Sequence, residues 1–357
     1  MKRSIMGLFT VMLVVGGASI ARADSGAAHK VKQTAPVKMG TSGGSVDDHS
    51  KAFCCGGTLG SAVLYDGTLH ILSNNHVLGR SGSAVAGEDT LQPGLIDTGC
   101  NGANSNIVGD FVGNLVPLGT ANVDAAISLA RANMVDANGD ILDIGVPCNT
   151  TQAPAVNMPV MKSGRTTGFT TGSITSINTS VSIQYQKGCN AGKKFTITFT
   201  NQIATTNMSA GGDSGSLLVS DDGTPNPVGL LYAGSSTTTI HNPIQDVVNA
   251  FSAGGHTFTF AGNACGGAAA AGEAVAFATP VANDLQAALQ IKNNHEAALF
   301  RNLGVIGVGI GAADDNPLQA VIVVYVDNTR GNGRNVLPTE LDGTKVKVIY
   351  TDPFVAQ

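Results

Sequence analysis

Gly211-Gly212-Asp213-Ser214-Gly215-Ser216-Leu217-Leu218-Val219 sets a hydroxyl on a glycine-rich turn directly ahead of an apolar, strand-forming run. A nucleophilic hydroxyl needs exposure on a tight turn, with backbone N–H groups aimed at the oxyanion that develops when it attacks. The same string is also what an ordinary turn before a strand looks like, so its meaning depends on what surrounds it. Outward from it, from about 52 to 261, the chain reads as short β-branched or alternating runs separated by Gly, Asn and Asp turns. Examples are Ser61 to Tyr65, Thr68 to Leu72, Ser173 to Ile177, Val181 to Tyr185 and Phe195 to Thr200. That pattern predicts a mainly β sandwich or barrel, closed by a short helix from Pro243 that carries Ile244, Val247, Val248 and Phe251 on one face.

The balance of residues narrows the function. Of 357 residues only 13% are charged and 43% are hydrophobic, enough apolar surface for one or two cores. Lys2 and Arg3 precede an apolar run from Ile5 to Ile20, and Ala21-Arg22-Ala23 supplies small residues before a cut, so 1–23 reads as a secretory signal peptide. Removing it leaves 17 basic against 25 acidic residues, a formal charge of −8. An acidic surface with no Trp argues against nucleic acid and anionic membranes as partners, and no later segment is apolar enough to span a bilayer. The expectation is a secreted or periplasmic protein.

Residues 24–50 lack periodicity and are rich in Ser, Gly and Lys, so they read as a mobile leader or propeptide. The β domain is assigned to 51–261, split near 150–160. Residues 262–357 are assigned to a connecting helix over Ala282 to Arg301 and a small α+β module with strands at Val305 to Ile310, Ala320 to Val326 and Lys345 to Tyr350. Cysteines at 54, 55, 100, 148, 189 and 265 are even in number on an exported chain, which favours disulfides; adjacent Cys54 and Cys55 are expected to take different partners. With no Cys-x-x-Cys and no His-x-x-x-His spacing, neither a metal nor any other cofactor is expected.

A serine nucleophile requires a base. His76, in Ser73-Asn74-Asn75-His76-Val77-Leu78 at the end of an apolar strand, is the candidate, the asparagines suggesting an exposed strand end; His70, among buried neighbours, is its rival. The base needs an orienting carboxylate, and Asp124 stands at the head of the apolar run Ala125 to Leu129. Asp97 and Asp110 are rivals in Gly-rich turns, where a solvated Asp needs no further explanation.

The order His76, Asp124, Ser214, with Cys55-Gly56-Gly57-Thr58-Leu59 ahead of the first and Gly164-Arg165-Thr166-Thr167-Gly168 ahead of the last, resembles the trypsin-like (chymotrypsin-fold) serine peptidases over about residues 52 to 255. The likeness is closest to their bacterial and plant branch. It implies a double six-stranded β-barrel, an acyl-enzyme mechanism on protein or peptide substrates, and an oxyanion hole from the N–H groups of Gly212 and Ser214. It also implies a specificity pocket with Met208 at its base and walls from Tyr232, Ala233 and Gly234. With no carboxylate at 208, that pocket is expected to take apolar side chains, though a loop acid such as Asp221 could redirect the choice.

Departures from the pattern matter as well. Val77 stands where animal trypsins have a cysteine, and Gly-Asp-Ser-Gly is followed by Ser-Leu, so the animal disulfide set does not transfer. There is no Ile-Val-Gly-Gly start whose freed amine would pair with Asp213. Leu303 to Ile310 and Leu337 to Val348 look like a module found beside such bacterial peptidases. A catalytically silent protein that keeps the barrels as a binding surface is the alternative reading.

Overall fold

The computed structural model describes residues 26–265, 277–330 and 337–357; the expected signal peptide lies outside them. Within them a short helix, α1 (Ala27–Lys30), leads to β1 (Thr41–Ser45), β2 (Gly57–Leu59), β3 (Ser61–Tyr65) and β4 (Thr68–Ser73). Then come α2 (Asn75–Leu78), β5 (Asp89–Gln92), β6 (Asn106–Leu115) and β7 (Ala126–Ala130). The pairings β3–β4, β4–β7, β7–β6, β6–β5, β5–β1 and β1–β2 are all antiparallel. Only Gly60 separates β2 from β3, and its N–H bonds Leu72 O, so the two are one bent strand and the ring closes into a six-stranded barrel.

Closure depends on β1, and the expected mobile leader over 24–50 does not match the structure there. Val37 and Met39 are fully buried in the first core and bridge to Val135 and Ile141, and all five residues of β1 are buried. The segment Thr-Ser-Gly-Gly-Ser has no apolar pattern to betray a strand. Its hydroxyls find buried partners instead: Ser42 donates to Asp97 (2.5 Å) and Ser45 to Glu88 (2.7 Å). Gly43 is required by close approach, since a Cβ there would sit 2.4 Å from the Leu59 side chain.

The second barrel is built from β8 (Pro159–Gly164), β9 (Gly168–Gln186), β10 (Lys194–Thr206), β11 (Leu217–Ser220), β12 (Pro227–Gly234) and β13 (Thr238–Pro243). Its ring runs β8–β9–β10–β13–β12–β11 and back to β8, again antiparallel throughout. The runs read from sequence as separate strands at 173–177 and 181–185 are one 19-residue strand, because Asn178 (φ 48°) makes a bulge and not a turn. Helix α3 (Ile244–Ser252) follows Pro243 and buries Ile244, Val247 and Phe251, and β14 (Phe258–Phe260) then adds to β3.

The C-terminal region supplies the expected helix and strands, and its sheet continues that of the second barrel. After α4 (Ala282–Phe300), β15 (Val305–Ala312) pairs with the outer edge of β9 and is followed outward by β16 (Ala320–Asp327), β18 (Thr344–Thr351) and the short β17 (Glu340–Leu341), in one continuous sheet. Strand β15 can dock because it carries glycines toward β9: a Cβ on Gly309 would lie 2.4 Å from Thr179 Oγ1. A last strand, β19 (Val355–Ala356), turns back and lies between β12 and β9. The cysteines pair as 54–100, 55–189 and 148–265, so the two neighbours do take different partners, and Cys55–Cys189 ties the first barrel to the β9–β10 hairpin. Such a bridge typically contributes about 2–5 kcal/mol. Among the described residues no helix is long and apolar enough to cross a membrane.

Candidate active site

The two barrels meet where β4 ends, β7 begins and the β10–β11 loop turns. Asn74 and Asn75, expected to mark an exposed strand end, are fully buried; the Asn74 amide donates to Asp124 O and the Asn75 amide to Val116 O, each at 2.7 Å. They hold α2 against the first barrel and so aim His76. Its Nδ1 lies 2.6 Å from Asp124 Oδ2, and its backbone N–H donates to Asp124 Oδ1 (3.2 Å). Asp124 is itself fully buried, its N–H bonded to Asn242 Oδ1.

The other candidates have different commitments. Asp97 forms a fork with Arg165 (2.6 and 2.7 Å) and Asp110 pairs with Arg131 (2.6 Å), while His70 Nδ1 is bonded to its neighbour Thr68 O. Asp124 is the acid that faces His76.

Two side chains not singled out from sequence complete the polar frame. Tyr185, on β9, donates its hydroxyl to Asp124 Oδ2 (2.9 Å); burial, with the Asp124 charge adding to it, pushes the phenol well above its usual value, so it stays a donor. Lys162, on β8, is fully buried with Nζ 3.3 Å from Asp213 Oδ2. Burial pulls this ammonium below its ordinary range, opposed by the Asp213 charge. The Asp213 carboxylate also accepts from Thr166 N (2.7 Å), Thr167 N (3.2 Å), Thr167 Oγ1 (2.7 Å) and Ala210 N (3.0 Å). The β8–β9 turn and an internal lysine thereby anchor the loop that carries Ser214. A lysine directly after the apolar pair Val160-Met161 was the available signal.

The loop turns at Gly212 (φ 100°) and Gly215 (φ 96°), and a Cβ on Gly215 would collide with Ser73 Oγ at 2.1 Å. The Asp213 and Gly215 amides are used by Ala210 O and Leu231 O, whereas those of Gly212 and Ser214 have no acceptor among the described residues. Ser214 Oγ donates to Tyr232 O (3.0 Å) and accepts from Gln357 N (3.1 Å), while His76 Nε2 is bonded to Gln357 O (3.2 Å). Gln357 thus sits between serine and histidine.

Of the four expected pocket residues, Ala233 and Gly234 pair with β19, and Tyr232 contributes its carbonyl while its ring packs 5.1 Å from Phe199. Met208 is turned into the second-barrel core beside Val160 and Ile174. The acid Asp221 lies beyond β11 at the far end of that strand from Ser214, its N–H on Pro159 O. An open cleft of about 620 Å³ lies alongside, lined by Asp48, His76, Tyr185, the Cys55–Cys189 bridge and Gly211-Gly212, with Val355–Gln357 as one wall.

Charge at the site favours a cationic imidazole. Burial lowers the His76 pKa, but the Asp124 carboxylate, through charge and hydrogen bond, and the Gln357 carbonyl more than offset it, so His76 titrates above the usual 6.5. Asp48, in the same cleft, is raised by burial to about 6, with the His76 charge opposing. If neutral His76 is the working form, activity is lost as pH falls through its raised pKa. The acid limb of kcat/KM against pH is therefore expected above 6.5, with Asp48 titrating below it; a limb centred under 6 would contradict this electrostatic reading.

No family model and no curated protein matches the chain. Solved structures similar to it include a glutamic-acid-specific serine protease (19% identity, 63% of this chain and 100% of that one, TM-score 0.43). Others are Cellulomonas bogoriensis chymotrypsin (22%, 58% and 91%, TM-score 0.37) and Thermobifida fusca protease A (18%, 60% and 95%, TM-score 0.40).

Proposed function

We propose that the protein is an exported serine endopeptidase acting through His76, Asp124 and Ser214. The observation that carries the reading is convergence. A buried carboxylate 2.6 Å from one nitrogen of a histidine, and a serine on a glycine-flanked turn reached from that histidine's other nitrogen through a single intervening residue, meet at the junction of two barrels. In this reading His76 takes the Ser214 proton as Oγ attacks the peptide carbonyl, and Asp124, with Tyr185 behind it, fixes the imidazole tautomer and stabilises its cation. The free N–H groups of Gly212 and Ser214 receive the oxyanion. The imidazolium then protonates the leaving amine, and water, activated by the same histidine, releases the acyl group. No metal or cofactor enters this scheme.

The three disulfides fit an oxidising compartment, as export through the 1–23 segment requires. Hydrolysis of casein by the purified chain, read by mass spectrometry of the peptides released, tests the proposal. Cleavage that persists unchanged in a Ser214→Ala preparation overturns it.

A further inference from the structure

Residues 355–357 run along β12 as the backbone of a substrate's acyl side would. Val355 and Ala356 pair antiparallel with Gly234 and Ala233, and the Gln357 N–H lies within hydrogen-bond reach of both Tyr232 O (3.2 Å) and Ser214 Oγ (3.1 Å). Its carbonyl oxygen is 3.2 Å from His76 Nε2. By its backbone pairing along β12, Gln357 holds the position of the residue before the scissile bond, with its oxygen turned to His76 and not to the Gly212 and Ser214 amides, and its side chain enters the pocket behind the serine. There the Gln357 Oε1 accepts from Ser209 Oγ (2.6 Å), and Ser209 Oγ lies 2.7 Å from Thr239 Oγ1. The opposite wall is Gly234, where a Cβ would come within 2.4 Å of Gln357 Nε2. The groups that meet this side chain are the Ser209 hydroxyl, backed by Thr239, and the bare backbone of Gly234. Lys162 is committed to Asp213, and His241, on the Thr239 strand, is held neutral by burial, so a carboxylate would find no cation.

We propose that the pocket selects glutamine through Ser209 and Gly234, and that the tail Val355–Gln357 occupies the acyl-side subsites in cis, competing with substrate. The inference rests on the serine endopeptidase reading. It replaces the apolar preference expected from position 208, because Met208 belongs to the core and the Ser209 hydroxyl faces the bound side chain. The tail also explains why serine and histidine each bond Gln357 and not one another: the base cannot reach the Ser214 proton until the tail leaves.

Two measurements test this. On peptides differing only at the residue before the scissile bond, kcat/KM for Gln is expected about tenfold above that for Leu or Glu, roughly the worth of one buried hydrogen bond. Ser209→Ala should collapse the Gln-to-Leu ratio toward one. Separately, Ala356→Pro, which removes a donor from β19, should label with a fluorophosphonate at least about tenfold faster than the parent, and the free hexapeptide corresponding to 352–357 should slow that labelling. A Leu or Glu preference overturns the pocket assignment. Equal labelling rates with no effect of the hexapeptide overturn the tail assignment, and both results leave the peptidase reading standing. Absence of labelling in parent and Ala356→Pro alike overturns the peptidase reading and this inference with it.

Discussion

Ser214→Ala is expected to fold normally and to lose peptide hydrolysis by a factor of order 10⁶, because in the proposed mechanism serine, histidine and carboxylate act as a unit and losing the serine removes the whole acyl-transfer route. The Ser214 hydroxyl makes only two hydrogen bonds, to Tyr232 O and from Gln357 N, so its removal leaves the Gly212 to Gly215 turn and its carboxylate anchor in place. His76→Ala should lose a comparable amount. Asp124→Asn keeps the shape but lets the amide turn a donor toward Nδ1, which favours the wrong tautomer and costs about 10⁴. Asp110→Asn serves as the contrast, since that carboxylate is engaged by Arg131 on a partly exposed face. Progress curves on one peptide substrate decide the matter. A harmless Asp124→Asn beside a crippled Asp110→Asn would reassign the acid.

Lys162→Met is expected to be the most damaging substitution for the fold. Both Lys162 and Asp213 are fully buried, and removing the cation leaves a carboxylate whose remaining partners are amides and one hydroxyl. Breaking a buried pair on one side costs about 3–5 kcal/mol, whereas replacing both charges together is often close to neutral. The urea midpoint of Lys162→Met should fall accordingly, and Lys162→Met/Asp213→Asn should recover most of the loss. Since Asp213 directly precedes Ser214, activity should fall with stability in the single variant. An unfolding free energy within about 1 kcal/mol of the parent would mean that the pair is not what anchors the loop.

What could be read from the sequence follows from where the signal is local. Period-two apolar runs such as Ser61 to Tyr65, and the spaced Ile244, Val247 and Phe251, announce their elements because burial on one face selects them. The Gly212 to Gly215 turn stands out because its positive φ at both ends demands glycine. Strand β1 escaped because it is buried with hydroxyls and glycines, satisfied by Asp97 and Glu88 from elsewhere in the chain. The asparagines beside His76 were misread for the same reason: their partners, Asp124 O and Val116 O, are more than 40 residues away. Tyr185 and Lys162 each sit in strand-like stretches whose buried polar ends have meaning only once both barrels close. Likewise nothing local in Phe354-Val355-Ala356-Gln357 says that it returns to Ser214.

The central claim is that Ser214 is an activated nucleophile with His76 as its base. Its most direct test is the intact mass of the purified chain after exposure to a fluorophosphonate, followed by peptide mapping, for the parent, Ala356→Pro and His76→Ala proteins. The account predicts a single adduct, on Ser214, forming slowly in the parent, faster in Ala356→Pro and not at all on the same timescale in His76→Ala. An adduct elsewhere in the chain, no adduct in either of the first two proteins, or undiminished labelling of Ser214 in His76→Ala would contradict it.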